Sequence, residues 1–400
     1  MPSSSSAAAS AATPSTSSTT SPSSSTSSPV SSAEPTEHIR LRSALDALPA
    51  YVAGKPAPDD GIHRYKVSSN ESPFAPLPQI REAVDEAMEH ANRYPDMGSA
   101  ALKDAIAAHH TSLGTPVTAQ NVAVSTGSVA VTGDLVRALV DPGDEVVFAW
   151  RSFEAYPIVV GSHGGVSVQV PLTDTFEHDL DAMAAAITDR TKLVILCTPN
   201  NPTGPVLSTE RIEQFLGRVP DHVVVALDEA YREFVDPDRV LDSGRLFRNH
   251  GNVVVLRTFS KMQGIAGVRI GYALAHPQLA AALGKVTIPF GASLLGQAAA
   301  LATFTPEVEE ELDRRAAWIR DERHRVQEGL AAQGWDLPDS QGNFVFFPLG
   351  ERSAEFTAFA DARGLVVRPY GADGVRVTIG EREANDLLLT IAQEWRRQAG

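Results

Sequence analysis

Short apolar runs rich in valine and leucine recur along the middle of this 400-residue chain: Val122–Val124, Glu145–Ala149, Val166–Val170, Leu193–Cys197, Val223–Leu227, Val253–Leu256 and Ile270–Leu274. Stretches with helical periodicity, Ala100–His110, Val129–Leu139, Leu180–Ile187 and Thr209–Val219, precede or separate most of them. The runs are too short for helices and almost continuously apolar, as strands covered on both faces must be. Strands alternating with helices need crossover connections. The pattern therefore predicts an α/β fold around a mostly parallel, seven-stranded sheet. Ligands of such sheets bind beyond the carboxyl ends of the strands, and the polar motifs of this chain fall there.

From about Pro306 the pattern changes. A long charged helix (Val308–Gln333) leads into Asn343–Phe347, Phe356–Arg363, Leu365–Arg368, Val375–Ile379 and a closing helix from Glu383, which reads as a smaller α+β domain. The expected division is a tail over residues 1–36, a segment over 37–77 packing with the small domain, a large domain over 78–300 and the small domain over 301–400. The tail is almost wholly Ser, Thr, Ala and Pro. Such a tract buries too little apolar surface to offset its ordering entropy, so disorder is expected. It has neither the basic n-region nor the apolar h-region of a secretory signal.

A formal net charge of −15 without a basic stripe argues against a nucleic-acid partner. No apolar run reaches the roughly 18 residues a membrane span needs. A lone cysteine, Cys197, precludes an intrachain disulfide and fits a reducing, cytoplasmic setting. What remains is a globular protein with small-molecule partners.

Five motifs carry chemistry. Thr258-Phe-Ser-Lys261, with Arg269 eight residues on, follows a buried run. Desolvation there favours the neutral amine of Lys261, which can attack an aldehyde. Val223-Val-Val-Ala-Leu-Asp-Glu-Ala-Tyr231 puts Asp228 at a strand end, where a carboxylate has few structural uses but would keep a pyridine nitrogen protonated. Thr198-Pro-Asn-Asn-Pro-Thr-Gly204 is a stiff loop, readable as a plain turn or as the holder of the Asn201 amide. Gly127-Ser128-Val129 opens a helix; by itself it is an N-cap, and with Ser260 and Arg269 it makes an anion cup. Phe153 follows another strand, placed either to fill core or to stack on a flat ring.

In this order the motifs resemble fold type I aminotransferases that use pyridoxal 5′-phosphate, specifically the histidinol-phosphate aminotransferase family, from about Leu45 to the C-terminus. Ser69-Asn-Glu-Ser-Pro-Phe74, Asn92-Arg-Tyr-Pro-Asp96, Asn343-Phe344 and Arg376-Val-Thr378 match as well. The resemblance implies that Lys261 holds the cofactor covalently and later shuttles a proton. It also implies that Asp228 pairs with the ring nitrogen, Asn201 and Tyr231 hold the phenolic oxygen, and Phe153 stacks. Ser128, Val129, Ser260 and Arg269 would bind the phosphate, joined by Tyr94 from a second subunit of a homodimer. Arg376 would take the substrate carboxylate, Asn201, Asn70 and Asn343 would line the substrate side, and Arg368 would lie further out.

Asn70-Glu-Ser-Pro-Phe74, Gly127-Ser-Val129, Phe148-Ala-Trp-Arg-Ser-Phe-Glu-Ala-Tyr156 and Val367-Arg-Pro-Tyr-Gly371 look closest to the aromatic amino acid (phenylalanine) branch. The implied reaction moves an amino group from an aromatic amino acid to a 2-oxo acid such as 2-oxoglutarate. Histidinol phosphate is the alternative donor, with Arg368 able to serve either. A lyase on the same scaffold and a non-catalytic regulator are the other classes, and the second lacks a helix-turn-helix pattern. Met262-Gln263 departs from the small-then-aromatic pair usual after the lysine. Phe74 and Phe153 are expected beside a substrate ring.

Overall fold

The computed structural model describes residues 39–46, 48, 50 and 63–399. The tail over 1–36, and most of the segment to residue 62, lie outside the described residues. Two compact units divide the chain, Met1–Arg42 and Ser43–Gly400, and of the first only residues 39–42 are described. The second unit carries everything that follows.

Its strands are β1 (Tyr65–Lys66), β2 (Val122–Ser125), β3 (Glu145–Trp150), β4 (Val166–Pro171), β5 (Thr191–Cys197) and β6 (Val224–Asp228). After these come β7 (Val253–Thr258), β8 (Gly271–Leu274), β9 (Phe344–Phe347), β10 (Leu365–Val366), β11 (Arg368–Pro369) and β12 (Val375–Thr378). Seven of them form one sheet in the order β2-β8-β7-β6-β5-β3-β4. The expected α/β architecture is therefore present. β3 pairs in parallel with β4 and β5, and β5–β6 and β6–β7 are parallel too. β8 runs antiparallel to both neighbours. The loop from β7 to β8 contains no α-helix to carry the chain back over the sheet, so β8 returns from the same end. That loop bears Ser260, Lys261 and Arg269.

The central strands are buried on both faces, which is why they read as continuous apolar runs. One core packs Val147, Leu196 and Leu227 against the helices of one face, and another packs Phe148, Ile195 and Leu256 against those of the other. Side-chain caps start several helices: Asp179 accepts from Ala182 N (2.9 Å), Asp242 from Arg245 N (2.8 Å) and Ser293 from Gly296 N (3.0 Å). The helices Ala155–Ser162 and Leu294–Ala302 were not expected from periodicity. Both are apolar nearly all round, so no amphipathic stripe marks them.

The last hundred residues hold the long helix Pro306–Ala332 and a second, three-stranded sheet, β11-β12-β9, with its own core around Phe347, Phe356 and Trp395. One expectation needs correction here. Leu365–Arg368 is not one strand: β10 pairs with β1, whereas Arg368 begins β11 and pairs with β12. An apolar run shows that a segment is extended, not which edge accepts its hydrogen bonds.

Candidate active site

The sheet places its polar side chains at one rim. Asp228 ends β6, Lys261 lies three residues beyond β7, and Asn201 follows β5; Phe153 and Ser128 follow β3 and β2. They meet around a cavity of about 500 Å³. Ser128, Val129, Phe153, Asn201, Asp228 and Tyr231 line it, as do Ser260, Lys261, Arg269, Arg368 and Arg376.

Lys261 is half-buried, and its Nζ donates to the carbonyls of Ser69 (3.3 Å) and Asn70 (3.2 Å). Burial, then the Arg376 cation, push its pKa down to about 7 against the opposing pull of Glu71. Of the unusual pair after the lysine, Met262 packs between two of the apolar cores, whereas Gln263 Oε1 is buried without a hydrogen-bond partner. Asp228 is 5 % exposed. Its Oδ2 accepts the Tyr156 hydroxyl at 2.6 Å and its Oδ1 accepts from Ala230 N at 3.2 Å. Burial raises the pKa of this carboxyl, and the Tyr156 bond opposes that rise. Burial also raises the Tyr231 and Tyr156 phenols well above their ordinary range, so both remain proton donors.

The expected anion cup falls where the helix Ser128–Leu139 begins, whose first backbone N–H groups have no acceptor within the helix. Gly127 precedes it at φ +93°, and a Cβ there would stand 2.7 Å from Arg269 Nη2. Arg269, itself left-handed at φ 55°, is held by the Ala266 carbonyl at 2.8 Å and touches Ser260 Oγ at 3.4 Å. Gly127→Ala would strain the turn and push the guanidinium aside. It is expected to weaken inorganic phosphate binding by roughly tenfold, about 1.4 kcal/mol, in calorimetric titration. Unchanged affinity would show that the cup does not depend on this approach.

Opposite the cup, Arg376 donates to Asn201 Oδ1 at 2.5 Å and to the Ser68 carbonyl at 2.8 Å. Its Nε is buried with no partner, which is costly unless an acceptor arrives. Arg376 is the register partner of Arg368 across β11 and β12, and each guanidinium lies 5.6 Å from the Tyr370 ring centroid. Arg368 is paired differently: its Nη2 donates to Glu154 Oε2 at 2.6 Å.

Three expected neighbours stand elsewhere. Asn70 and Asn343 are almost fully buried and lie behind the cavity wall, not on it. Asn70 donates to the Tyr231 hydroxyl at 3.1 Å, and Asn343 donates to the Asn70 carbonyl at 3.3 Å. Phe74 packs edge-on against Trp318 and under Arg315, away from the lining. The apolar wall is made instead by Phe153, Ile158, Val159 and Tyr370. Tyr94 is 81 % exposed, stacked on Phe290, and absent from its own cavity. Tyr156, Tyr370 and Glu154 stand in stretches that resemble the aromatic branch, Phe148–Tyr156 and Val367–Gly371, but no role was expected of them; membership of those stretches was the signal.

No group of histidine, cysteine, aspartate and glutamate side chains able to hold a metal ion occurs among the described residues. No helix among them is long and apolar enough to cross a membrane.

This arrangement has close parallels. Residues 63–391 match the family model described as aminotransferase class I and II. The chain is 50 % identical over 359 residues to an aromatic amino acid aminotransferase of Streptomyces coelicolor, covering 90 % of this chain and 98 % of that one. It is 49 % identical over 358 residues to the enzyme of that name from Mycobacterium tuberculosis, covering 89 % and 98 %. Among solved structures, histidinol-phosphate aminotransferase from Sinorhizobium meliloti in complex with pyridoxal-5′-phosphate superposes with a TM-score of 0.80 at 29 % identity, over 90 % of this chain and 98 % of that one. A Thermus thermophilus aspartate aminotransferase variant shares the fold at a TM-score of 0.78 and 24 % identity, covering 90 % and 100 %. The match over residues 63–391 and relatives of half-identical sequence along nearly their whole length place this chain in the class I and II aminotransferase family.

Proposed function

We propose that this aminotransferase uses pyridoxal 5′-phosphate to move the amino group of an aromatic amino acid, phenylalanine first, to a 2-oxo acid such as 2-oxoglutarate. The observation that carries the reading is the Lys261 amine, softened to about 7, in a cavity lined as well by Asp228, Ser128, Arg269 and Arg376. Relatives of half-identical sequence named for the aromatic reaction support the choice of donor.

The residues present fit the cofactor: cup donors suit its phosphate, and the buried Asp228 carboxylate suits a ring nitrogen. When bound, the cofactor supplies an electron sink. The chain supplies the rest. Ser128, Val129, Ser260 and Arg269 hold the phosphate, and Phe153 stacks on the ring. Tyr156 fixes the Asp228 carboxylate. Asn201 and Tyr231 hold the phenolic oxygen, with Asn70 and Asn343 bracing Tyr231 from behind. Arg376, on the cavity wall, takes the substrate carboxylate, and Lys261 Nζ accepts the proton from the substrate Cα. Residues 78–300 carry the cofactor and 301–400 present Arg376 and Arg368 to the substrate. The exposed Tyr94–Phe290 stack fits a homodimer in which each Tyr94 completes the other subunit's phosphate site. Sedimentation at assay concentration should give a dimer; an active monomer would remove this element.

The donor is tested with phenylalanine, tyrosine and histidinol phosphate against 2-oxoglutarate. Burying a phenylalanine ring contributes roughly 1.5–3 kcal/mol, whereas a desolvated dianion needs several converging donors. Arg368 is already paired with Glu154. Phenylalanine should exceed histidinol phosphate in kcat/KM by at least about tenfold, and Arg376→Ala should raise KM for every amino acid donor. A preference for histidinol phosphate would overturn the donor assignment while leaving the aminotransferase intact.

A further inference from the structure

The two arginines of β11 and β12 are register partners beside the same tyrosine ring, yet their electrostatic surroundings differ. Arg376 is held by an amide oxygen and a backbone carbonyl, both neutral, and keeps a buried Nε without a partner. It lines the cavity with no carboxylate partner among the described residues. Arg368 carries a carboxylate, Glu154 Oε2, at 2.6 Å, with the arginine side chain 6 % and the glutamate 24 % exposed. Glu154 reaches it from outside. It lines a separate cavity of about 600 Å³, bounded by Leu48, Trp150, Pro157 and Gln169, and does not line the cavity that Arg368 faces. Ile158 forms part of the wall between the two.

We propose that Glu154 is a specificity-determining residue: by neutralising Arg368 from behind, it leaves Arg376 to take the donor's carboxylate and makes the far end suit an uncharged ring, so that a dicarboxylate acceptor such as 2-oxoglutarate must displace Glu154 to engage Arg368. The inference rests on the aromatic-donor reading and names what enforces it. In a poorly solvated site an arginine without a counter-charge is costly, and a second anion on the substrate would relieve that cost. With Glu154 in place the same anion meets a cation already satisfied, and a carboxylate behind it that repels. Dicarboxylates then bind only as far as they compete with Glu154 for Arg368. The 600 Å³ cavity behind Glu154 gives its side chain room to withdraw when they do.

The test uses the cofactor-loaded enzyme and two carboxylates that carry no amino group, 3-phenylpropionate and glutarate, titrated by calorimetry. Wild-type enzyme should bind 3-phenylpropionate more tightly. Glu154→Gln should tighten glutarate by at least about tenfold, with 3-phenylpropionate changing less than about twofold, and the double variant Glu154→Gln/Arg368→Met should lose the gain. Glu154→Asp, which shortens the carboxylate arm, should shift the ratio in the same direction by less, and it carries the test if the glutamine variant does not fold. An unchanged glutarate to 3-phenylpropionate ratio in these variants overturns the proposal, as does a gain that survives removal of Arg368. Phenylalanine turnover by the wild type is measured alongside. Its absence would strike the aromatic-donor reading, whereas the glutarate ratio judges Glu154 separately.

Discussion

Lys261→Ala is expected to lower kcat by more than the roughly 10²–10⁴-fold that loss of a positioned acid–base group costs by itself, because in the proposed reaction this side chain would also anchor the cofactor. Phosphate binding should persist, since Ser128, Ser260 and Arg269 are untouched. The wild-type protein should be yellow, and borohydride should remove its visible band and leave an adduct that peptide mass mapping places on Lys261. An adduct on Lys103 or Lys285 would sink the assignment. The pH dependence follows from the low pKa of the amine. Burial disfavours the charged form, so the amine is protonated and unreactive below about 7 and neutral above it. In the cofactor-free protein, labelling of Lys261 by an amine reagent should therefore rise with pH and reach half its maximum near about 7. Ordinary lysines should follow only toward about 10.4. A Lys261 profile that tracked the surface lysines would show that the cavity does not soften it.

Asp228→Asn should cost roughly 10²–10³ in kcat, the scale of removing one preorganised electrostatic partner from an active site. The amide has nearly the same shape and can still accept from Tyr156, so the loss reports charge and not packing. Tyr156→Phe keeps the carboxylate and removes only the 2.6 Å hydrogen bond that fixes it, so its effect should be clearly smaller. If Asp228→Asn retained wild-type turnover, the carboxylate would have no electrostatic part in the reaction. Equal losses in the two variants would mean that Tyr156 orients everything Asp228 contributes. Thermal melting separates either result from simple destabilisation, since both side chains are buried.

The expected strands at β3, β5, β6 and β7 were legible because each is buried on both faces, and such a strand needs continuous apolar sequence. The short motifs were legible for a related reason. Lys261, Asp228, Asn201 and Ser128 lie at strand ends or in the loops that follow them, so the chain order places them at one rim before any packing is known. The helices Ala155–Ser162 and Leu294–Ala302 were not legible, since uniform apolarity erases the period that marks a surface helix. The direction of β8 was not legible either, because an apolar run carries no sign.

By itself, then, the sequence determined the layered sheet and the rim to which its polar motifs fall, both of which depend on local periodicity and near-neighbour spacing; the part expected of Lys261 came from the order of the motifs and the family they resemble. Only the tertiary structure decided how those groups are tuned. Tyr156 bonds Asp228 across 72 positions, Asn70 bonds Tyr231 across 161 and Glu154 meets Arg368 across 214. Whether Arg368 faces the cavity as a bare cation or as half of an ion pair is therefore invisible along the chain. It depends on where the turn after β3 packs against β11, and on the energetic need to pair a charge removed from water.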